Sequence, residues 1–243
     1  MNVIRISVLH VIVNGMHSQE GLPGAIAELW VGRAARRGPR PRLSVADVAE
    51  AAVAVADDDG LAALSLQSVA GRLDIATTGL YRYVDSKRTL VEIAVDHATG
   101  PPPALPAGDW AAAVRYWSRE LLATHRRHPW LSDVEPSGMP RTPNPLAWLD
   151  RLLGALADAP GVEDPMSAAL LLEAVVGRYA ALLRSVRPAD AGGAEVLDHL
   201  AGARAGEFPF LARAVDRDWS DVEREFDFAV GTVLRGLAPD AGR

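Results

Sequence analysis

Cysteine is missing from all 243 residues. That excludes disulfides, thiolate zinc sites and a cysteine nucleophile, and it fits a reducing cytoplasm. Lysine is almost missing too: Lys87 is the only one, so arginine carries nearly all the positive charge. With so many alanines, glycines and prolines, that bias reads as GC-rich coding rather than as a functional signal. The net charge of −6 argues against a uniformly basic nucleic-acid binder. It leaves room for a local basic surface, because the local field matters more than the sum. No alternating β pattern appears after residue 14, and no internal repeat. A phosphate loop, a paired acid and base, and a metal triad are all lacking, which argues against an enzyme. His125 and His128 stand at i, i+3 without a third ligand, so no metal site or cofactor is implied. The one membrane-like segment, residues 3–13, is too short for a span of ~20 apolar residues. Arg5 and His10 interrupt it, and no small-residue cleavage site follows. Met16 comes soon after, leaving open both a start at that residue and a genuine N-terminal arm.

What is present is helix, punctuated by proline and glycine. The length suits one large domain or a small domain plus a medium one. Leu22, Ile26, Leu29 and Trp30 fall near helical spacing within residues 17–32. Arg33, Arg36, Arg37, Arg40 and Arg42 follow without an acid among them, in a stretch broken by Gly38, Pro39 and Pro41. This extended basic arm has two open readings: contact with phosphates or a minor groove, or a solvated linker. Ser44, with Asp47 three residues on, reads as a capping box opening a helix that ends at the acids 57–59. Ser65 caps a short helix whose Leu66, Val69, Ala70 and Leu73 face inward. Asp74 follows at a turn that calls for a left-handed residue, with Ile75 tucked into the core beyond it. Ser86 caps the helix that runs to about His97. Gly100 and three prolines then break the chain. Further helices are expected over 109–128, 145–157, 164–184 and, capped by Ser220, on to about 237. The region 187–206 is looser, and 208–215 reads as one more helical turn.

Residues 65–90 carry the sharpest signal. Thr77, Thr78, Gly79, Leu80, Tyr81, Arg82, Tyr83 and Val84 make a short helix with only two apolar anchors, Leu80 and Val84. The remaining side chains cannot all be core. A helix that enters a DNA major groove needs such a face: slim hydroxyls for base edges and tyrosines for phosphates. Gly79 costs about 1 kcal/mol of helix stability relative to alanine, which suggests close approach to something. Lys87 opens a helix where a cation opposes the dipole by about 0.3–1 kcal/mol. A phosphate would reverse that penalty; an ion pair with Asp85 is the other reading.

Residues 44–97 resemble the N-terminal domain of TetR-family transcriptional regulators. The resemblance rests on VADVAEAAVAVADDDGLAALSLQSVAGRL and LYRYVDSKRTL, and most specifically on the spacing of Leu80, Tyr81, Val84 and Lys87. It implies that Ser44, Gln67, Thr77, Thr78, Tyr81, Tyr83 and Lys87 occupy DNA-contacting positions. Asp74 departs from the family's usual glycine, and Gly71 from a longer residue. Beyond the break, HPWLSDV, PNPLAWLDRLLGALADAPG, residues 170–184 and FDFAVGTVLRGL resemble the tetracycline-repressor subgroup. The implied fold is all-α: an N-terminal three-helix helix-turn-helix domain and a C-terminal helical domain that binds a small ligand and dimerises. The corresponding boundaries are 1–42 for the extension and arm, 43–100 for the head, and 101–243 for the rest.

The partners implied are a palindromic DNA operator, a small-molecule effector and a second copy of the chain, with repression as the family default. Candidate effector contacts are the polar and aromatic residues among apolar helices: His97, Trp117, His125, Trp148, Glu173 and Tyr179. The helices 164–184 and 220–237 are apolar enough for a dimer face or for internal core. Two further function classes remain at this point, a helical binding module that does not read DNA and an all-helical enzyme.

Overall fold

The computed structural model describes residues 22–31, 43–135, 138–185, 202, 206–210 and 221–238. The basic arm, residues 1–16, Ser220 and most of 187–215 lie outside the described residues. Within them every regular element is a helix. The chain divides into two compact units, one of residues 1–102 with 134–148, the other of 103–133 with 149–243. The break near residue 100 is therefore not the whole boundary: residues 134–148, expected in the second domain, pack with the first unit.

The first unit contains α1 (Gly24–Val31), α2 (Val45–Asp59), a 3-10 turn (Leu61–Ala63), α3 (Leu66–Arg72), α4 (Thr77–Leu80), α5 (Lys87–Thr99) and the opening of α7 (Pro143–Ala157). Local chemistry sets the helix starts. The Ser44 hydroxyl donates to Asp47 Oδ2 at 2.6 Å while the Asp47 amide donates back to Ser44 Oγ. Ser65 and Ser68 make the same reciprocal cap for α3, and Ser86 accepts from the Thr89 amide to open α5. Such caps each contribute about 1 kcal/mol. Val48, Val69, Leu80, Leu90 and Ile93 are fully buried and pin α2, α3, α4 and α5 together; each contributes about 1.5–3 kcal/mol by leaving water. Leu66, Leu73 and Ile75 are only half-buried, because they stand at the ends of a helix two turns long and reach just the rim of this core. α1 packs on α2 and α5 through Ile26, which is also fully buried.

The opening of α7 is bonded to α5 at three levels. Arg141 forks onto Glu92, with Nη2 to Oε2 at 2.6 Å and Nε to Oε1 at 3.2 Å. One helical turn on, the Asn144 amide donates to Asp96 Oδ1 at 2.8 Å. A turn further, Trp148 Nε1 donates to the Gly100 carbonyl at 2.9 Å. Trp30 of α1 joins the same ladder by donating its Nε1 to the Arg141 carbonyl.

The second unit packs α6 (Trp110–Arg127), a 3-10 turn (Pro129–Asp133), the rest of α7, α8 (Pro165–Ser185) and α9 (Val222–Leu237). Trp117, Leu152, Leu156, Leu172, Val176 and Phe226 form its core. Asp221 caps α9, accepting from the Arg224 amide at 2.9 Å, where Ser220 was the expected cap. By length and composition alone α8 is long and apolar enough to cross a membrane. Here it packs on α6 and α9 through a stripe of Ala169, Leu172, Val176 and Ala180.

Candidate nucleic-acid interface

α3, α4 and the start of α5 form a helix-turn-helix built on one unusual residue. Asp74 has φ 53°, the single left-handed residue other than glycine among those described. Around it the Ile75 amide donates to the Ala70 carbonyl at 3.0 Å and the Asp74 amide to the Gly71 carbonyl at 3.2 Å. This is the paired bonding of a Schellman motif, which reverses the chain and satisfies the last carbonyls of α3. α4 is a single turn. It continues as a hydrogen-bonded turn in which the Tyr83 and Val84 amides both donate to the Leu80 carbonyl. That geometry buries Leu80 and Val84 and turns the intervening residues outward.

The expected DNA-contacting residues separate accordingly. Gln67, Thr78, Tyr81 and Lys87 are exposed; Ser44, Thr77 and Tyr83 are half-buried. Tyr81 is 56% exposed, a costly position for an aromatic ring in a protein that never meets a partner there. Ser44 spends its hydroxyl on the capping box. A Cβ on Gly79 would meet nothing within 4 Å, so no packing inside the protein demands glycine at this place. Lys87 makes no ion pair among the described residues. Asp85 is engaged elsewhere: first the Thr89 hydroxyl, against some desolvation, holds its carboxyl below the ordinary value.

Two features lie outside the expected contact set. Arg82 is exposed and free of ion pairs among the described residues, whereas Arg72 is bound to Asp58 at 2.8 Å and Arg88 to Glu92. Its position in the polar run was the available signal. The other is a cleft of about 350 Å³ between Gly24, Ala25 and Glu28 of α1 and the turn carrying Tyr81, Tyr83 and Asp85. Nothing local in the sequence links those segments.

The expected effector contacts do not form one group. Trp117 is fully buried on α6. Tyr179 of α8 meets Phe226 edge-to-face at 5.7 Å. His125 Nδ1 lies 3.1 Å from Ser132 Oγ, and burial lowers its pKa to about 4, so the ring is neutral. Glu173 is half-buried in α8, where desolvation raises its pKa. These four belong to the second unit. His97 is exposed on α5, and Trp148 is tied to Gly100; both belong to the first unit. None of the six lines the second unit's open cleft of about 510 Å³ beside Trp110, Asp150, Arg151 and Asp158. No group of three or more potential metal-ligating side chains occurs among the described residues.

Residues 102–240 match the family model described as tetracyclin repressor-like, C-terminal domain. The chain belongs to this TetR family. It is 39% identical over 154 residues to the HTH-type transcriptional repressor DrrR1 of Streptomyces coeruleorubidus, a match covering 61% of this chain and 57% of that protein. It is 28% identical to an HTH-type transcriptional regulator of Saccharopolyspora erythraea, covering 93% and 96% of the two chains. The fold is also that of ActR from Streptomyces coelicolor, at a TM-score of 0.71 and 24% identity over 82% of this chain and 96% of that one. ActR has also been solved in complex with actinorhodin. The TetR assignment places the chain among transcription regulators rather than enzymes.

Proposed function

We propose that this TetR-family chain is a cytoplasmic, ligand-responsive repressor that binds a palindromic operator as a homodimer and leaves it when a small-molecule effector binds. The observation that carries this reading is the exposed polar face of Gln67, Thr78, Tyr81, Arg82 and Lys87 around the buried anchors Leu80 and Val84. That division of faces is what a groove-entering helix requires. Thr77 and Thr78 would touch base edges. Tyr81, Tyr83 and Lys87 would hold phosphates, with Gln67 and the α2 start at Ser44 fixing register.

Two copies are required because one short helix reads too little sequence. A two-fold dimer sets its half-sites about 34 Å apart. Leu170 and Leu171 on α8, 55% and 50% exposed, and Phe228 on α9 at 66% support these helices as the dimer face. The effector would sit among the helices of the second unit, near Trp117, His125, Glu173 and Tyr179, with His97 and Trp148 assigned to transmission. ActR, solved with actinorhodin, gives a precedent for a small ligand on this fold. An effector acts only through its differential affinity for the two states.

Selection of duplexes from a random pool by the full-length protein tests the reading. A two-fold symmetric site should emerge whose affinity falls steeply with salt. Tyr81→Ala with Lys87→Ala should lower that affinity at least tenfold while the protein stays folded. Recovery of no duplex would remove the DNA-binding reading.

A further inference from the structure

Arginines of α6 face residues of α9 at three successive levels. Arg126 pairs with Glu223. Arg119 forks onto Asp227, Nε to Oδ1 at 3.1 Å and Nη2 to Oδ2 at 2.9 Å. The register runs antiparallel, so the next level joins Arg115 to residue 231. At that level the acid is replaced by a glycine. Gly231 is buried, and a Cβ built on it would lie 3.2 Å from Arg115 Nη1 and 3.5 Å from Arg235 Nη1. Two guanidinium groups thus converge on one glycine.

Neither arginine has a carboxylate partner among the described residues. Arg235 donates only to Thr232 Oγ1 at 2.8 Å. The nearest acid along α9, Asp227, is already held by Arg119. Arg115 is half-buried, so its charge is less well solvated than that of an exposed arginine. Bringing two like charges together costs energy unless an anion sits between them. Guanidinium groups bind carboxylate and phosphate in a bidentate way, and the interaction is roughly twice as strong as a neutral hydrogen bond.

We propose that Arg115 and Arg235 form an oxyanion-binding site over Gly231, taking a phosphate or carboxylate group of a small solute. Neither arginine is among the expected DNA-contacting residues or the expected effector contacts. Glycine lets both guanidinium groups approach the α9 backbone closely, since a Cβ there would stand 3.2 Å from Arg115 Nη1.

Thermal unfolding of the full-length protein in inorganic phosphate, against chloride at matched ionic strength, tests this. The wild-type Tm should rise saturably by about 3 °C. Arg115→Gln with Arg235→Gln should abolish the response. Gly231→Asp should raise the Tm without phosphate and leave none of the response, because its own carboxylate completes the level; this variant decides the matter if the double substitution does not fold. An equal response in the double variant, or no wild-type response, would overturn the site. Dissociation of the dimer in the double variant, with no phosphate response in the wild type, would also overturn it, because a second copy's carboxylate would then be the counter-charge.

Discussion

Asn144 holds Asp96 at three atoms. Its backbone amide donates to Oδ1 at 2.8 Å, and its side-chain amide donates to the backbone carbonyl at 2.9 Å and to Oδ2 at 3.1 Å. The Asp96 carboxylate belongs to α5 but caps the start of α7, where it also meets the side chain of buried Thr142, the residue before Pro143. Asp96 is buried, and desolvation raises its carboxyl pKa despite these donors. Asn144→Ala leaves the buried charge short of partners and should cost about 2 kcal/mol. In a double-mutant cycle, Asp96→Ala and Asn144→Ala should be strongly non-additive. Additive losses in urea unfolding would show that the two residues act independently.

Asp74 gives a prediction of opposite sign. The left-handed conformation costs an L-residue roughly 1–2 kcal/mol, less for Asp than for most. Asp74→Gly should therefore stabilise the protein by about 1 kcal/mol, and Asp74→Ala should destabilise it by a similar amount. Chemical denaturation reads both. The turn geometry is retained in the glycine variant, so operator affinity should stay within a factor of about three.

His125 makes stability depend on acid pH. Its pKa falls from the ordinary 6.5 to about 4 on folding, because burial disfavours the charged ring. The unfolded chain binds the proton more readily, so stability is fully present above pH 6.5 and is lost as pH falls towards 4. The loss approaches about 1.4 kcal/mol per pH unit inside that window. His125→Gln should flatten this part of the profile. An unchanged slope between pH 6.5 and 4 would show that another group carries it.

Lys87 and Arg82 should affect DNA binding through charge alone. Lys87→Gln ought to lower the slope of log affinity against log salt by about 1, the share of the single phosphate its ammonium would neutralise, with little change in sequence preference. Thr78→Ala should instead relax preference at one base position and leave the salt slope as it was.

The N-terminal segment needs separate tests for its two parts. Ile26 is fully buried and Trp30 donates to the Arg141 carbonyl, so deleting residues 1–42 removes core as well as the arm. Ile26→Ala alone should cost about 2–5 kcal/mol. Replacing Arg33, Arg36, Arg37, Arg40 and Arg42 by glutamine leaves that core intact. An unchanged salt slope in this variant would take the arm out of DNA binding.

The features legible in the sequence are those whose partners lie within a few residues. Ser44 with Asp47, Ser65 and Ser86 as caps, the left-handed Asp74 and the buried pair Leu80 and Val84 are all set by spacing within one or two turns. The α5–α7 ladder was not legible, because Glu92, Asp96 and Gly100 meet Arg141, Asn144 and Trp148 nearly fifty residues away. For the same reason Trp148 reads from sequence as a ligand contact, whereas its indole nitrogen is bonded to Gly100. His97 is exposed on α5, whose other face, with Ile93 and Ala94, is buried. The spare charge of Arg115 and Arg235 is likewise a property of register between two helices, invisible along either one.

The first unit is discontinuous, with residues 134–148 completing residues 1–102. During synthesis the DNA-reading head therefore emerges unfinished. Glu92 and Asp96 must wait for Arg141 and Asn144, and Gly100 for Trp148, by which time the whole of α6 has already left the ribosome. A gene fragment ending at the apparent break near residue 100 would encode every side chain proposed to contact DNA and still yield a head without its last seam.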